Sequence, residues 1–453
     1  MGKLSVEKLR EKTHKIFPEL VDVLKDFVAI PSISSQSFDQ KHVQNSAEFV
    51  LDLFQKEGFE AEILTAVTND GKTSRPAVVG VLKTSDDAPT VLLYAHHDVQ
   101  PVGDTSSWNT DPFVATEKDG RLYGRGAADD GGGIIAHLGA IRLLKEDLGV
   151  NVKVFIEGEE EIASPTFHDF LKTHREKLSA DVIIVADSAN WKVGHPALTS
   201  SLRGSVEAKV EVKCLDHAVH SGIYGGALLD ANVIAARLIA SLHDENGDVA
   251  VEGLASSDKA EVIYPEDEYR FSTGAVESLK LAGTGDLAAR LWYKNAISVI
   301  GMDITPVHLA SNTIAPKCTF VVSMRVSPLQ DLDEAAELLV KHLKKNVPFG
   351  AKIRVFDIEK GSSFKAKHSP IYDDAHWALS TAWNFDSVNT GMGGSIPFLA
   401  DFNEFFPSAE ILITGVEDPD TCAHSENESV HLGDLEKVVL AEALLLSKLG
   451  GKI

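Results

Sequence analysis

Cysteine is scarce in this chain: Cys214, Cys318 and Cys422 are the only three in 453 residues. Thiols so few and so scattered exclude a disulfide framework and a cysteine-rich zinc site, so any metal must be held by histidines and carboxylates. Long apolar runs are also missing. The longest, such as Val182-Ile183-Ile184-Val185, are the size of a strand and too short to span a bilayer, which excludes a membrane-embedded function. Basic charge is outweighed: 43 Lys and Arg face 67 Asp and Glu, a net charge of −24 that repels polyanions and argues against nucleic acid as a partner. The stretch Met1-Gly2-Lys3-Leu4-Ser5-Val6 lacks the basic-then-apolar layout of a signal peptide, and Val6 breaks the myristoylation pattern, so a cytoplasmic protein is expected.

The length exceeds what one hydrophobic core usually serves, and two structural units are expected. Val6, Leu9, Ile16, Leu20, Leu24 and Phe27 recur at helical spacing, which predicts an opening helix over about 5–29, closed by a loop at Pro31. Strand-like runs at 78–82, 91–95, 152–156 and 182–186 then alternate with helix-like ones such as 134–148, the pattern of an α/β sheet. From Ser205 the texture changes. Val206-Glu207-Ala208-Lys209-Val210-Glu211-Val212 alternates apolar and polar residues, as a half-exposed antiparallel strand does. Helices at 228–242 and 332–347 with strands at 319–326 and 353–358 predict a small α+β layer. A helix around 376–383 and a strand at 411–414 return to the first unit. The expected organisation is therefore 1–203 with 370–453 as one discontinuous domain and 204–369 as an inserted one.

Unusual histidines and carboxylates fall just beyond strand ends. His96-His97-Asp98 follows the strand at 91–95, Glu157 to Glu161 follow 152–156, Asp187 ends 182–186, and His424 lies in a loop after 411–414. Ligands of open α/β sheets bind beyond the carboxyl ends of strands, so groups far apart in sequence can converge there. Gly124 to Gly133, a glycine-rich stretch before a helix, carries the carboxylates Asp129 and Asp130 but not the Gly-Lys-Ser/Thr ending of a phosphate-binding loop. Two histidines and several carboxylates without thiolates suit zinc, manganese or cobalt, and two such ions need a bridging carboxylate. The residues alone leave open which of His96 and His97 is the ligand and how roles divide among Glu159, Glu160 and Glu161.

His96-His97-Asp98-Val99-Gln100-Pro101, Trp108 with Asp111-Pro112-Phe113, and Tyr123-Gly124-Arg125-Gly126 through Asp129-Asp130 come first along the chain. Glu157-Gly158-Glu159-Glu160-Glu161, Asp187, His220-Ser221-Gly222, Gly393-Gly394-Ser395-Ile396-Pro397 and Ala423-His424-Ser425 follow. In this order the motifs resemble the co-catalytic metallopeptidase family of carnosinase and cytosolic nonspecific dipeptidase, which also includes acylases and deacylases. The resemblance implies a catalytic domain with a central mixed sheet, an inserted α+β lid and dimerisation domain, and hydrolysis of dipeptides or short peptides. It implies two divalent ions, zinc or manganese, with His96 and Asp187 on one, Glu161 and His424 on the other, and Asp129 bridging. The His-x-Asp spacing selects His96, and the Glu-Gly-x-Glu-Glu pattern selects Glu160 as general base and Glu161 as ligand. Asp98 would accept the ring N–H of His96, and a cis peptide bond is implied between Asp129 and Asp130. His220 would reach the active site of a partner subunit in a homodimer and polarise the scissile carbonyl. Arg325, Ser395 and Gly394 would hold the substrate carboxylate. Where many dipeptidases carry Arg-Glu before Gly-Gly-Ser, this chain has Gly391-Met392, a departure that keeps deacylation of N-acetyl or N-succinyl amino acids as the alternative activity.

Overall fold

In the computed structural model, residues 4–453 are described apart from Ser395, together with all side chains in that range except those of Glu146 and Pro397. The chain divides into two compact units, one of residues 1–200, 366–390 and 397–453, the other of residues 201–365 and 391–396.

The first unit is built on a six-stranded mixed sheet in the order Glu60–Leu64, Ala77–Leu82, Asn151–Glu157, Thr90–His96, Val182–Val185, Glu410–Ile413. The last four strands run parallel, while the first two pair antiparallel. Register pairs His96 with Glu157, and Val185 with both Tyr94 and Ile413, so the carboxyl ends of these four strands open at one rim. Strands buried on both faces need apolar residues at nearly every position, which is why Val182-Ile183-Ile184-Val185 is continuous rather than alternating.

The helix Gly131–Leu144 is buried almost all round, so it shows no apolar stripe. It ends at Leu144, short of the expected 148, because Lys145 takes a positive φ of 32° and breaks the turn. Helices Val6–Val28, Pro370–Trp383 and Leu432–Leu449 share its core. One polar link crosses this core: His137 Nδ1 lies 2.9 Å from both carboxylate oxygens of Glu442, and Nε2 is 3.0 Å from the Tyr94 carbonyl. A ring flanked by two acceptors donates from both nitrogens and is therefore an imidazolium.

The second unit holds a four-stranded antiparallel sheet, ordered Ala296–Met302, Lys317–Val326, Gly204–Lys213, Lys352–Gly361. Val206, Val210 and Val212 face helices Ala231–Ala240 and Leu332–Asn346 in its core, each buried side chain contributing roughly 1.5–3 kcal/mol. The first of these helices starts later than the apolar pattern at 228 suggests. Asp230 caps it by accepting the N–H groups of Asn232 and Val233. Gly391–Ile396 belongs to this unit, and the Arg203 N–H donates to the Met392 carbonyl at 3.1 Å.

Removing Glu442 by Glu442→Ala leaves the buried His137 without its counter-charge, and is predicted to cost about 3–5 kcal/mol. Burial alone lowers the His137 pKa, but the charge and hydrogen bond of Glu442 outweigh it and raise it above the ordinary value. The pair's contribution is thus complete below about pH 6.5 and is lost as pH rises through the folded-state pKa. Thermal unfolding of both proteins across pH should show a gap that narrows toward alkaline pH. Equal melting temperatures at pH 6 would contradict this.

Candidate metal centre

The four strand ends deliver their side chains to one cluster. His96 is the last residue of its strand, and its Nε2 stands 2.9 Å from Asp129 Oδ1. The other oxygen, Asp129 Oδ2, lies 2.9 Å from His424 Nε2, which is also 3.1 Å from Glu161 Oε2. Ligand atoms of His96, Asp129 and Asp187 fall within 4.8 Å of one another, as do those of Asp129, Glu161 and His424. Asp129 is common to both triads and turns one oxygen toward each.

The adjacent residues that competed in the sequence are separated by geometry. His97 is buried and points away, its Nε2 2.8 Å from the Pro76 carbonyl. Glu159 accepts the backbone N–H groups of Arg75 and Thr166, each at 3.0 Å, and so anchors the loop. Glu160 and Glu161 sit on the short turn that follows.

Asp98 meets His96 with two groups. The atom nearest His96 Nδ1 is the main-chain carbonyl of Asp98 at 3.0 Å, with its carboxylate at 3.5 Å. The carboxylate also accepts the backbone N–H groups of Glu160 at 3.2 Å and Glu161 at 3.1 Å, because the turn exposes both donors toward it. One residue thus orients the histidine through its backbone and the glutamate turn through its side chain. Gln100 Nε2 fixes Glu161 further, at 2.7 Å from Oε2.

Glu428 was not singled out in the sequence. It is fully buried, pairs with Arg125 at 2.6 Å, and accepts the backbone N–H groups of Gly126, Ala128 and Asp129 at 3.0–3.1 Å. This carboxylate shapes the glycine-rich loop that presents Asp129. The glycines themselves are required by close approach: a Cβ on Gly131 would stand 2.4 Å from the Gly126 carbonyl, and one on Gly133 2.2 Å from Asp130 Oδ1. Asp130 caps the following helix through Gly133 N–H, and the Asp129–Asp130 peptide bond is cis.

The electrostatics of the cluster demand positive charge. Burial, with the charge of Asp187 next, pushes Glu160 up to about 9. Burial and Asp129 push Glu161 up to about 7, and burial raises Asp187 to about 6. Burial acts the same way on Asp129, but hydrogen bonds from His424 and His96 hold it below the usual carboxylate range. His424, bonded to Asp129 and Glu161, rises to about 11. Acids crowded so closely draw on the nearest protons for compensation, a role divalent cations fill better. The donor set, two imidazoles with carboxylates and no thiolate, fits borderline or hard ions such as zinc or manganese.

The second unit carries the remaining predicted residues. His220 is exposed, and its Nδ1 accepts the Gly222 N–H at 3.0 Å, so in the neutral ring Nε2 carries the proton and is free to donate. Arg325 is exposed on its strand, opposite Ser205 and Ala296. Gly394 has open space where a Cβ would lie. Ser395 lies outside the described residues. The Gly391 departure has a packing reason: a Cβ there would stand 2.7 Å from Trp292 Cβ and 2.8 Å from Ser201 Oγ, so no larger residue fits.

Residues 92–448 match the model of peptidase family M20/M25/M40. The chain belongs to this family. Among its relatives, a cysteinylglycine-S-conjugate dipeptidase of Corynebacterium striatum is 35% identical over 381 residues, 82% of this chain and 84% of that one. A Cys-Gly metallodipeptidase of Schizosaccharomyces pombe is 28% identical over 96% of each chain. The structure of human carnosine dipeptidase 1 superposes with a TM-score of 0.72 at 25% identity, covering 99% of this chain and 100% of that one. As a member of the M20/M25/M40 peptidases, the protein is an enzyme, a metallopeptidase. Among the described residues, no helix is long and apolar enough to cross a membrane.

Glu428→Ala is predicted to unfold at lower temperature, by about 3–5 kcal/mol of stability, because Arg125 is left buried and unpaired. Displacement of the loop should also weaken divalent-ion binding by about tenfold or more, measured by calorimetry. Unchanged affinity in that variant would show that Glu428 does not shape the centre.

Proposed function

We propose that the protein hydrolyses the peptide bond of dipeptides or short peptides at a centre holding two divalent cations. The observation that carries this reading is Asp129, whose two oxygens each face a separate histidine-containing triad. His96 and Asp187 would hold one ion and His424 and Glu161 the other, with Asp129 shared between the two sets; zinc and manganese both suit these donors. Such ions, when bound, would supply an acidified water and a Lewis acid for the scissile carbonyl.

The chain's own residues do the remainder. Glu160 takes a proton from the attacking water and returns it to the leaving amine. Asp98 holds the Glu160 turn in place through two backbone N–H groups. His220 donates its Nε2 proton to the carbonyl oxygen as negative charge develops there. Arg325 and Gly394, with Ser395, bind the C-terminal carboxylate, for which a guanidinium fork is well matched.

A homodimer in which His220 serves the partner's centre is part of this reading. It is supported by the exposed apolar side chains Ile223, Tyr224, Leu228, Leu229 and Val233 beside that histidine. The free cysteines suit the reducing cytoplasm.

Protein reloaded with manganese or zinc should cleave dipeptides faster than matched N-acyl amino acids; the reverse order would make it a deacylase. Glu160→Ala should lose at least about a thousandfold in kcat, as loss of a general base does, while keeping its metal content. Near-normal turnover would remove Glu160 from the mechanism. Light scattering should give twice the chain mass, and a fully active monomer would contradict the role of His220.

A further inference from the structure

Arg203 directly precedes the strand Gly204–Lys213 and is 8% exposed. A buried guanidinium normally sits in a bidentate pair with a carboxylate. This one does not. Nη1 donates to the carbonyls of Arg290 and Lys294, both at 3.3 Å, and Nε donates to the carbonyl of Gly393 at 3.4 Å. Among the described residues, no carboxylate makes an ion pair with it. These bonds are long, and neutral carbonyls compensate a buried unit charge poorly.

The guanidinium lies against Gly393. A Cβ on Gly393 would stand 2.7 Å from Arg203 Nη2, so glycine at 393 is what lets the two meet. The Arg203 N–H also bonds the Met392 carbonyl, which ties the Met392–Gly394 turn to the residue by main chain and side chain alike. A second cation is close. Strand register places Arg325 opposite Ser205, two residues along the chain from Arg203. Burial, and then the charge of Arg325, push Arg203 down to about 10. Two guanidinium groups near one another, one buried and neither with an acidic partner among the described residues, form a place that favours an anion.

We propose that Arg203 is a specificity-determining residue for substrates with a free C-terminal carboxylate: it fixes the Met392–Gly394 turn and adds a second positive charge beside Arg325. The inference rests on the dipeptidase reading above. It differs from that reading in giving the buried Arg203 a share of carboxylate recognition.

The test compares a dipeptide with its C-terminal amide on metal-loaded wild type, Arg203→Lys and Arg203→Met. Wild type should favour the acid. Arg203→Met should lower kcat/KM for the acid about tenfold to a hundredfold, mostly through KM, the size expected for a lost charge-assisted interaction, and lower the amide far less. Arg203→Lys keeps the charge without the fork and should fall between, which decides the matter should the methionine variant not fold. Equal losses for acid and amide in the lysine variant would reduce Arg203 to a packing role and overturn the proposal, as would an unchanged acid-to-amide ratio. A wild type that cleaves neither substrate overturns the dipeptidase reading itself.

Discussion

Burial of several carboxylates in one cluster is the constraint on which this structure turns. Asp129, Glu160, Glu161 and Asp187 gather where four parallel strands end, and burial, with their neighbours' charges next, pushes most of them toward protonation. A fold tolerates this only if something holds the acids in place. Two other carboxylates do so: Asp98 grips the turn that bears Glu160 and Glu161, and Glu428 grips the loop that bears Asp129. The acids proposed to meet the cations are thus presented by acids that meet backbone N–H groups and an arginine. The division of labour explains why so much negative charge is concentrated at one rim.

The part of this arrangement that reads from sequence is the part governed by short-range rules. His96 and Asp187 are legible because they follow apolar runs of strand length, and ligands collect at such ends. His424 is legible from ligand chemistry, since thiolates are absent. Glu428 is not. Its partners lie about 300 residues earlier, and nothing in the periodicity around it signals that it fills the glycine-rich loop. The role of Asp98 was half legible: the spacing from His96 locates it, but only the fold shows that its carboxylate faces the glutamate turn.

Helix boundaries tell the same story. Leu432–Leu449 is buried on nearly every side, charged Asp434 and Glu442 included, so burial does not follow an apolar stripe, and Lys41–Lys56 starts without a side-chain cap at Gln40. Ala231–Ala240 begins where Asp230 can cap it, and not where the leucines begin. The Gly391-Met392 departure, which in the sequence only suggested a changed specificity, becomes a packing fact once Trp292 and Ser201 are seen to fill the space beside Gly391.

The claim that Asp129 joins two cations is tested most directly by counting metal. Protein reloaded with manganese or zinc should hold about two ions per chain by elemental analysis, the number a bridged centre requires. Asp129→Ala should lose both together, because each triad loses its shared oxygen donor. If that variant, still folded, keeps two ions per chain, Asp129 does not bridge them and the centre described here is wrong.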